Sequence, residues 1–152
     1  FVQNKIITFA KNLWMGRVVA FDFGTKRIGI AETDDLQIIA SGLTTVETDK
    51  IFDFLENYLS QTKVELFLVG EPKQMNHTAS ESEVHIQDFL KDLIQKYPSI
   101  PIERMDERFT SKIAVRTMID GGLSKKKRQN KALVDQISAT IILQDYLEKK
   151  RK

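Results

Sequence analysis

Apolar residues along this chain come in short runs, and the first two runs predict a β-hairpin. Val18 to Phe21 lead directly into Asp22, and a second apolar run resumes at Ile28. β-branched and aromatic residues favour strands. A turn at Asp34-Asp35 and a third strand from Gln37 to Thr44 follow. Because no helix separates these three strands, they are expected to pair as an antiparallel meander.

The rest of the chain alternates between helical spacing and buried strands. The predicted elements are a helix capped by Thr48-Asp49, a strand over 66–70, a loop over 73–80, a helix over 86–97, a strand over 100–105, a helix over 110–119 ended by Gly121-Gly122, and a last helix over about 131–148. The order βββαβαβαα predicts an α/β fold in which helices flank a mixed five-stranded sheet.

Length and composition indicate the general class of protein to which this chain belongs. The chain has 152 residues, of which 41% are hydrophobic and 29% charged, as expected for one globular domain. No apolar run approaches the roughly 20 residues that cross a bilayer, so we expect no membrane partner. The absence of cysteine fits a reducing compartment, and we expect a cytoplasmic protein. Residues 1–14 precede Met15 and are expected to be an upstream leader, which leaves 15–152 as the single domain.

Acidic residues follow several of the predicted strands. Asp22 ends the first strand, Glu71 the fourth, and Asp106 and Glu107 the fifth, while Asp135 lies on the inward face of the last helix. The ends of such strands face a common crevice. With no cysteine in the chain, converging carboxylates favour one or two Mg²⁺ or Mn²⁺ ions that promote phosphodiester hydrolysis.

Each acid also has a structural interpretation. Asp22 is compatible with capping a turn, Glu71 with a solvated loop, and Asp106-Glu107-Arg108 with a surface ion pair. Asp135 is compatible with complementing the positive end of its helix. Convergence of these residues in space favours the metal site over these alternatives.

Four ordered motifs resemble the YqgF/RuvX family. They are Asp-Phe-Gly-Thr-Lys-Arg-Ile-Gly-Ile-Ala at 22–31, Val-Gly-Glu-Pro at 69–72, Asp-Glu-Arg-Phe-Thr-Ser at 106–111 and Asp-Gln-Ile-Ser-Ala-Thr-Ile-Ile-Leu-Gln-Asp-Tyr-Leu at 135–147. The resemblance implies an RNase H-like fold in which Asp22, Glu107 and Asp135 hold the metal. Asp106 and Glu71 are additional candidate ligands, although a glutamate at position 71 departs from the family pattern.

Basic residues lie beside these acids. Lys26 and Arg27 follow Asp22, and Arg108 follows Glu107, where the phosphates of a nucleic acid would lie. Lys126 and Arg128 belong to a basic run at 125–128 that either contacts the nucleic-acid backbone or forms a solvated surface. The net charge of +2 does not by itself indicate a polyanionic partner.

The resemblance implies a metal-dependent nuclease that processes the 5′ end of pre-16S rRNA during ribosome biogenesis, in contact with the ribosomal precursor particle. One alternative is a Holliday junction resolvase that cuts branched DNA; it requires two sites, whereas the sequence suggests a monomer or weak dimer. A second alternative is a noncatalytic RNA-binding assembly factor. A third is an ATPase, since Asp-x-Gly-Thr at a hairpin also resembles the phosphate loop of actin-like proteins.

Overall fold

One mixed five-stranded sheet organises the molecule. The computed structural model describes residues 16–72, 81–107 and 110–152. The strands are β1 (Arg17–Phe23), β2 (Arg27–Thr33), β3 (Ala40–Glu47), β4 (Val64–Glu71) and β5 (Ile102–Asp106). Their order is β3-β2-β1-β4-β5. The β1–β2 and β2–β3 pairs are antiparallel, whereas β1–β4 and β4–β5 are parallel, which confirms the predicted mixed sheet and its meander.

Helices cover both faces of this sheet. They are α1 (Ile51–Gln61), α2 (Glu83–Lys96), α3 (Thr110–Asp120), α4 (Lys125–Arg128) and α5 (Lys131–Arg151). Strand residues alternate between the two faces, so Phe21 packs in a core with α1 and α2. Ala20 packs in a second core with Ala139 and Ile142 of α5. Among the described residues, no helix is long and apolar enough to span a membrane.

Several predicted features lie outside the described residues. They include the leader over 1–14, the polar loop over 73–80 with its His77, and Arg108. The division into a leader and one domain over 15–152 therefore stays a prediction.

β3 begins at Ala40, three residues later than predicted. The Asp34 carboxylate accepts hydrogen bonds from the backbone N–H groups of Leu36, Ile38 and Ile39, at 3.3, 2.7 and 2.8 Å. These amides are therefore bound by the turn and unavailable to a strand ladder. Gln37, predicted to start the strand, instead has a φ of 56° within this turn.

The predicted cap at Thr48-Asp49 is also wrong. Residues Thr48–Lys50 form a short 3-10 turn ahead of α1, and the α1 N-cap position makes no side-chain hydrogen bond. The Thr48 hydroxyl instead donates to the carbonyl oxygen of Gly24 at 2.6 Å. This bond ties the start of α1 to the β1–β2 turn, which the functional site shares.

The basic run at 125–128 is the one-turn helix α4, capped by the Ser124 hydroxyl, and it lies between α3 and α5. α5 continues to Arg151, beyond its predicted end near residue 148. Lys150 Nζ donates to Gln37 Oε1 at 2.7 Å, and Arg151 Nη2 donates to the carbonyl of Ile38 at 2.5 Å. These bonds attach the end of α5 to the β2–β3 turn.

Replacing Gly29 of β2 by alanine is expected to displace α5 from the sheet. A Cβ at residue 29 would lie 2.0 Å from the backbone carbonyl oxygen of Asp135, whereas one at Gly42 would meet only the side chain of Gln136. Overpacking typically costs about 1–3 kcal/mol, and here the obstacle is backbone. We expect Gly29→Ala to lower the urea midpoint strongly and Gly42→Ala to change it little; equal effects would contradict this account.

Candidate active site

The parallel strands β1, β4 and β5 bring their carboxyl ends to one edge of the sheet. Asp22 is the penultimate residue of β1, and Glu107 directly follows β5. The backbone N–H of Glu107 donates to the carbonyl oxygen of Glu71 at 3.2 Å, which continues the β4–β5 ladder by one residue. The side chains of Asp22 and Glu107 are hydrogen-bonded to each other. Two of the three predicted ligands therefore meet directly.

Gly70 on β4 makes the space for this pair. A Cβ at residue 70 would lie 2.3 Å from Glu107 Oε2 and 2.6 Å from its Cδ. Glu107 Oε2 is buried and has no hydrogen-bond partner among the described residues. Leaving a buried carboxylate oxygen without a partner costs free energy. This atom is therefore a candidate ligand for a cation or for a polar group of the substrate.

Burial changes the protonation of the pair. Loss of solvation, followed by the charge of Asp22, raises the pKa of Glu107 to about 9. Loss of solvation likewise raises the pKa of Asp22 to about 7, with the hydrogen bond from Glu107 opposing the rise. At neutral pH Glu107 is therefore protonated and donates to Asp22.

Asp135 reaches the same region from α5. Asn130 caps its helix, since the Asn130 side chain accepts from the backbone N–H of Leu133. The Asp135 charge contributes to the raised pKa of Asp22, and both residues line the same cleft. The Arg27 guanidinium donates through Nε to Asp135 Oδ2. Burial raises the pKa of Asp135, and the charge of Arg27 partly offsets that rise.

A cleft of about 380 Å³ opens between the β1–β2 turn and α5. We call it the hairpin cleft; its lining consists of Asp22, Phe23, Gly24, Thr25, Lys26, Arg27, Lys131 and Asp135. Three of these residues are cations, so the cleft offers positive charge beside the carboxylates. Lys131 was missed in the sequence, although its spacing of four residues before Asp135 places both on one helix face.

Three further residues that were predicted for the site do not line the hairpin cleft; they are Glu71, Asp106 and Lys126. Glu71 and Asp106 are register partners across the β4–β5 pair. Strand alternation places Glu71 on the same face as Val69, which packs with α1 and α2, and so opposite Asp22. Lys126 is exposed on α4, the helix that also contains Arg128. The structure therefore brings together Asp22, Glu107, Asp135, Lys26 and Arg27. Asp106 adjoins Glu107, and its charge contributes to the raised pKa of Glu107, whereas Glu71 lies on the opposite face of the sheet and Lys126 does not line the hairpin cleft.

The donor chemistry of the site fits a hard divalent cation. Carboxylate oxygens are the ligands that Mg²⁺ and Mn²⁺ prefer, and Glu107 Oε2 is unpartnered beside Asp22. Within the described part of the chain, however, no three acidic or histidine residues are grouped closely enough to hold a metal ion. The bond between Asp135 and Arg27 keeps the third carboxylate engaged with a cation of the protein itself.

In the absence of metal, Glu107→Gln is expected to stabilise the protein at pH 8 by roughly 1–3 kcal/mol, with little effect at pH 4. Because the pKa of Glu107 is raised to about 9 in the folded protein, the native state binds more protons than the unfolded state between about pH 4.5 and 9. Glu107 therefore makes folding less favourable as the pH rises through this window.

Urea unfolding in EDTA at pH 4, 6 and 8 measures this effect as the difference between variant and wild type. Glu148 is exposed on α5, and the matched variant Glu148→Gln is expected to give a small difference at every pH. A Glu107→Gln difference that does not grow with pH would show that Glu107 is not buried as an acid.

Comparison with known proteins tests the predicted resemblance to the YqgF/RuvX family. A family model, RuvX, described as a Holliday junction resolvase, matches residues 16–149. A protein of Christiangramia forsetii is 64% identical over 133 residues, covering 88% of this chain and 98% of its own. One of Bacteroides fragilis is 57% identical over 137 residues, covering 90% and 99%. Both are named "Putative pre-16S rRNA nuclease".

A solved structure agrees with the fold. Thermus thermophilus RuvC in complex with a Holliday junction substrate matches with a TM-score of 0.53 at 15% identity, covering 89% of this chain and 96% of that one. This likeness assigns the RNase H-like fold that the four motifs implied. Since the family model and the two relatives each cover most of the residues, the chain belongs to the RuvX family.

Proposed function

We propose that this chain is a metal-dependent endonuclease that cleaves the backbone of precursor 16S rRNA during ribosome biogenesis. The observation that carries the proposal is the Asp22–Glu107 pair, whose side chains are hydrogen-bonded to each other at the carboxyl ends of β1 and β5. Its buried Glu107 Oε2 has no hydrogen-bond partner among the described residues. Its relatives carry the name of a pre-16S rRNA nuclease, which supports this choice of substrate. Such a substrate puts the reaction in the cytoplasm, on a ribosomal precursor particle.

Asp22, Glu107 and Asp135 are the residues that would hold Mg²⁺ or Mn²⁺. When bound, one or two such ions supply an activated water and stabilise the charge on the leaving oxygen. Holding a cation there would require Asp22 and Glu107 to be deprotonated. Asp135 would contribute its Oδ1, because Arg27 donates to Oδ2 and an ionised carboxylate accepts at both oxygens.

The cations of the hairpin cleft bind the substrate backbone. Lys26 is exposed on the β1–β2 turn and Lys131 is exposed at the start of α5, so the two ammonium groups flank the carboxylates. Phosphate contacts of this kind position the strand and carry no sequence information. Arg27 donates to Asp135 through Nε, and its planar guanidinium carries further N–H groups that suit a phosphate oxygen.

Branched DNA is the second candidate substrate, favoured by the description of the family model as a Holliday junction resolvase. Cutting a four-way junction requires two sites in one complex. The prediction of a monomer or weak dimer argues for RNA, and sedimentation of the chain with and without a four-way junction tests that prediction.

The direct experiment offers both substrates to the purified chain. We expect site-specific cleavage of a 5′-labelled precursor 16S transcript in Mn²⁺ or Mg²⁺, no cleavage in EDTA, and no cleavage of a four-way DNA junction. Cleavage of the junction alone would favour the resolvase. Tight binding of the transcript without cleavage in either ion would favour a noncatalytic assembly factor and would overturn the proposal.

A further inference from the structure

A second cleft lies on the other side of the β1–β2 turn. It has a volume of about 340 Å³, within the range of about 300–1,000 Å³ that small-molecule sites occupy. We call it the aromatic cleft; its lining consists of Phe23, Thr25, Thr48, Ile51, Phe52, His85, Asp88, Phe89 and Asp92. The proposed cleavage reaction leaves most of these residues without a role.

Three phenylalanine rings form its apolar surface. Phe89 is buried, and its ring centroid lies 5.2 Å from that of Phe23 and 5.9 Å from that of Phe52. Phe23 and Phe52 are only half-buried. The ammonium group of the exposed Lys96 lies over the Phe52 ring, 4.4 Å from its centroid, so it covers one face of that ring and leaves the rest of the partly exposed side chain to the cleft. The cleft therefore presents aromatic surface to a ligand.

Two carboxylates and an imidazole form its rim. His85, Asp88 and Asp92 are exposed on a single face of α2, at spacings of three and four residues. Ionised carboxylates accept hydrogen bonds and repel phosphates. The ligand that suits this combination is planar, apolar on its faces and equipped with hydrogen-bond donors at its edge. Nucleobases with exocyclic amino groups have these properties.

The aromatic cleft is continuous with the hairpin cleft. Phe23 and Thr25 line both. The alternation of β1 sends Asp22 toward α5 and Phe23 toward the core of α1 and α2, so neighbouring residues of one strand serve neighbouring clefts. Lys26 projects from the turn between them. A polynucleotide whose phosphate lies by Asp22 can reach the aromatic cleft with the next base.

We propose that the aromatic cleft binds an unpaired nucleobase of the RNA strand next to the scissile phosphate, and prefers bases with an exocyclic amino group over uracil. The inference rests on the proposed nuclease function. Single-stranded RNA is commonly recognised by stacking unpaired bases on aromatic side chains and by reading their edges. The site thereby selects a strand that is unpaired at the position of cleavage.

NMR titration of the ¹⁵N-labelled full chain locates the ligand. Adenosine 5′-monophosphate is expected to shift the amide signals of Phe23, Thr48 and Phe52 saturably, uridine 5′-monophosphate to do so several-fold more weakly, and ribose 5-phosphate not at all. Equal shifts with ribose 5-phosphate would overturn the inference, because that probe has no base.

Two substitutions on α1 test the aromatic contact. Phe52 and Phe54 are both half-buried and pack on the same core, but only Phe52 lines the cleft. We expect Phe52→Leu to weaken binding of a fluorescein-labelled decaribonucleotide of mixed sequence about tenfold, with less than a twofold change for Phe54→Leu. Equal affinities for these two variants would overturn the inference.

A substitution at the rim of the aromatic cleft tests the inference without changing the hydrophobic core. Asp88 is exposed, so Asp88→Ala is expected to fold normally and to reduce the preference for adenosine over uridine monophosphate. An unchanged preference would contradict the assigned role of the rim.

All these measurements of nucleotide binding are made without cleavage. If they fail, the nuclease proposal is unaffected. A protein that binds the nucleotides as expected but cleaves no substrate would contradict the nuclease proposal and not the assignment of the aromatic cleft.

Discussion

Asp22→Asn is expected to reduce cleavage of the precursor transcript by at least about a hundredfold to a thousandfold, the loss typical of removing one preorganised electrostatic group. The amide keeps the shape of the side chain and its hydrogen bond with Glu107, but it removes the negative charge that would bind the cation. The protein is expected to fold, because Asp22 has its pKa raised to about 7 by burial and is therefore a destabilising charge at pH 8. Single-turnover cleavage in Mn²⁺ measures the effect.

The matched control is Asp53→Asn, at an exposed position on α1. It is expected to cleave at the wild-type rate and to change stability by no more than about 0.5 kcal/mol. Wild-type cleavage by Asp22→Asn would remove Asp22 from the catalytic site. A lower melting temperature for Asp22→Asn than for wild type in EDTA, at pH 8, would contradict its assignment as a buried charge.

The edge of the sheet that carries the site could be predicted from the sequence. The apolar run before Asp22 and the one before Gly70 both predict strands. The meander returns the chain in β3 to the direction of β1, and the helical spacing between β3 and β4 implies a crossover that keeps this direction. Parallel strands have their carboxyl ends at one edge, which is enough to bring Asp22 close to Glu107. The inward face of α5 was predicted in the same way, from the spacing of Asp135, Ala139 and Ile142.

The face on which each acid lies was harder to predict. A strand changes sides at every residue, so proximity to a strand end does not decide between Gly70 and Glu71. Here Gly70 lies against Glu107, while alternation turns Glu71 to the opposite face. The bond between Arg27 and Asp135 joins positions 108 residues apart, and sequence spacing gives no indication of it. Turn chemistry explains the late start of β3, since Asp34 binds the backbone amides of Ile38 and Ile39, which the predicted strand needed.

Arg27 has two roles in this arrangement. It was predicted as a phosphate ligand, and it is bound to a candidate metal ligand. The two are compatible, because Asp135 needs a cation whenever it is partly buried and ionised. The guanidinium supplies that charge, and its remaining N–H groups suit the phosphate contact that we propose for it.

Gly70→Ala is expected to abolish metal-dependent cleavage while leaving the sheet intact. The added Cβ would lie 2.3 Å from Glu107 Oε2, so the carboxyl group has to leave its place beside Asp22. Its other neighbour, Ile142 Cδ1 at 3.0 Å, is the end of a flexible side chain and can give way. Wild-type protein is expected to gain melting temperature on adding Mn²⁺, and Gly70→Ala to lose that gain, as measured by thermal unfolding with and without the ion.

A double-mutant cycle separates this displacement from a general disturbance of β4. Truncating Glu107 to alanine empties the space that the new Cβ needs, so Gly70→Ala should cost about 1–3 kcal/mol of stability in the wild-type background and much less in Glu107→Ala. The difference between the two costs is the interaction between residues 70 and 107. Equal costs in both backgrounds, or a Gly70→Ala variant that still cleaves in Mn²⁺, would mean that Gly70 does not hold Glu107 in place.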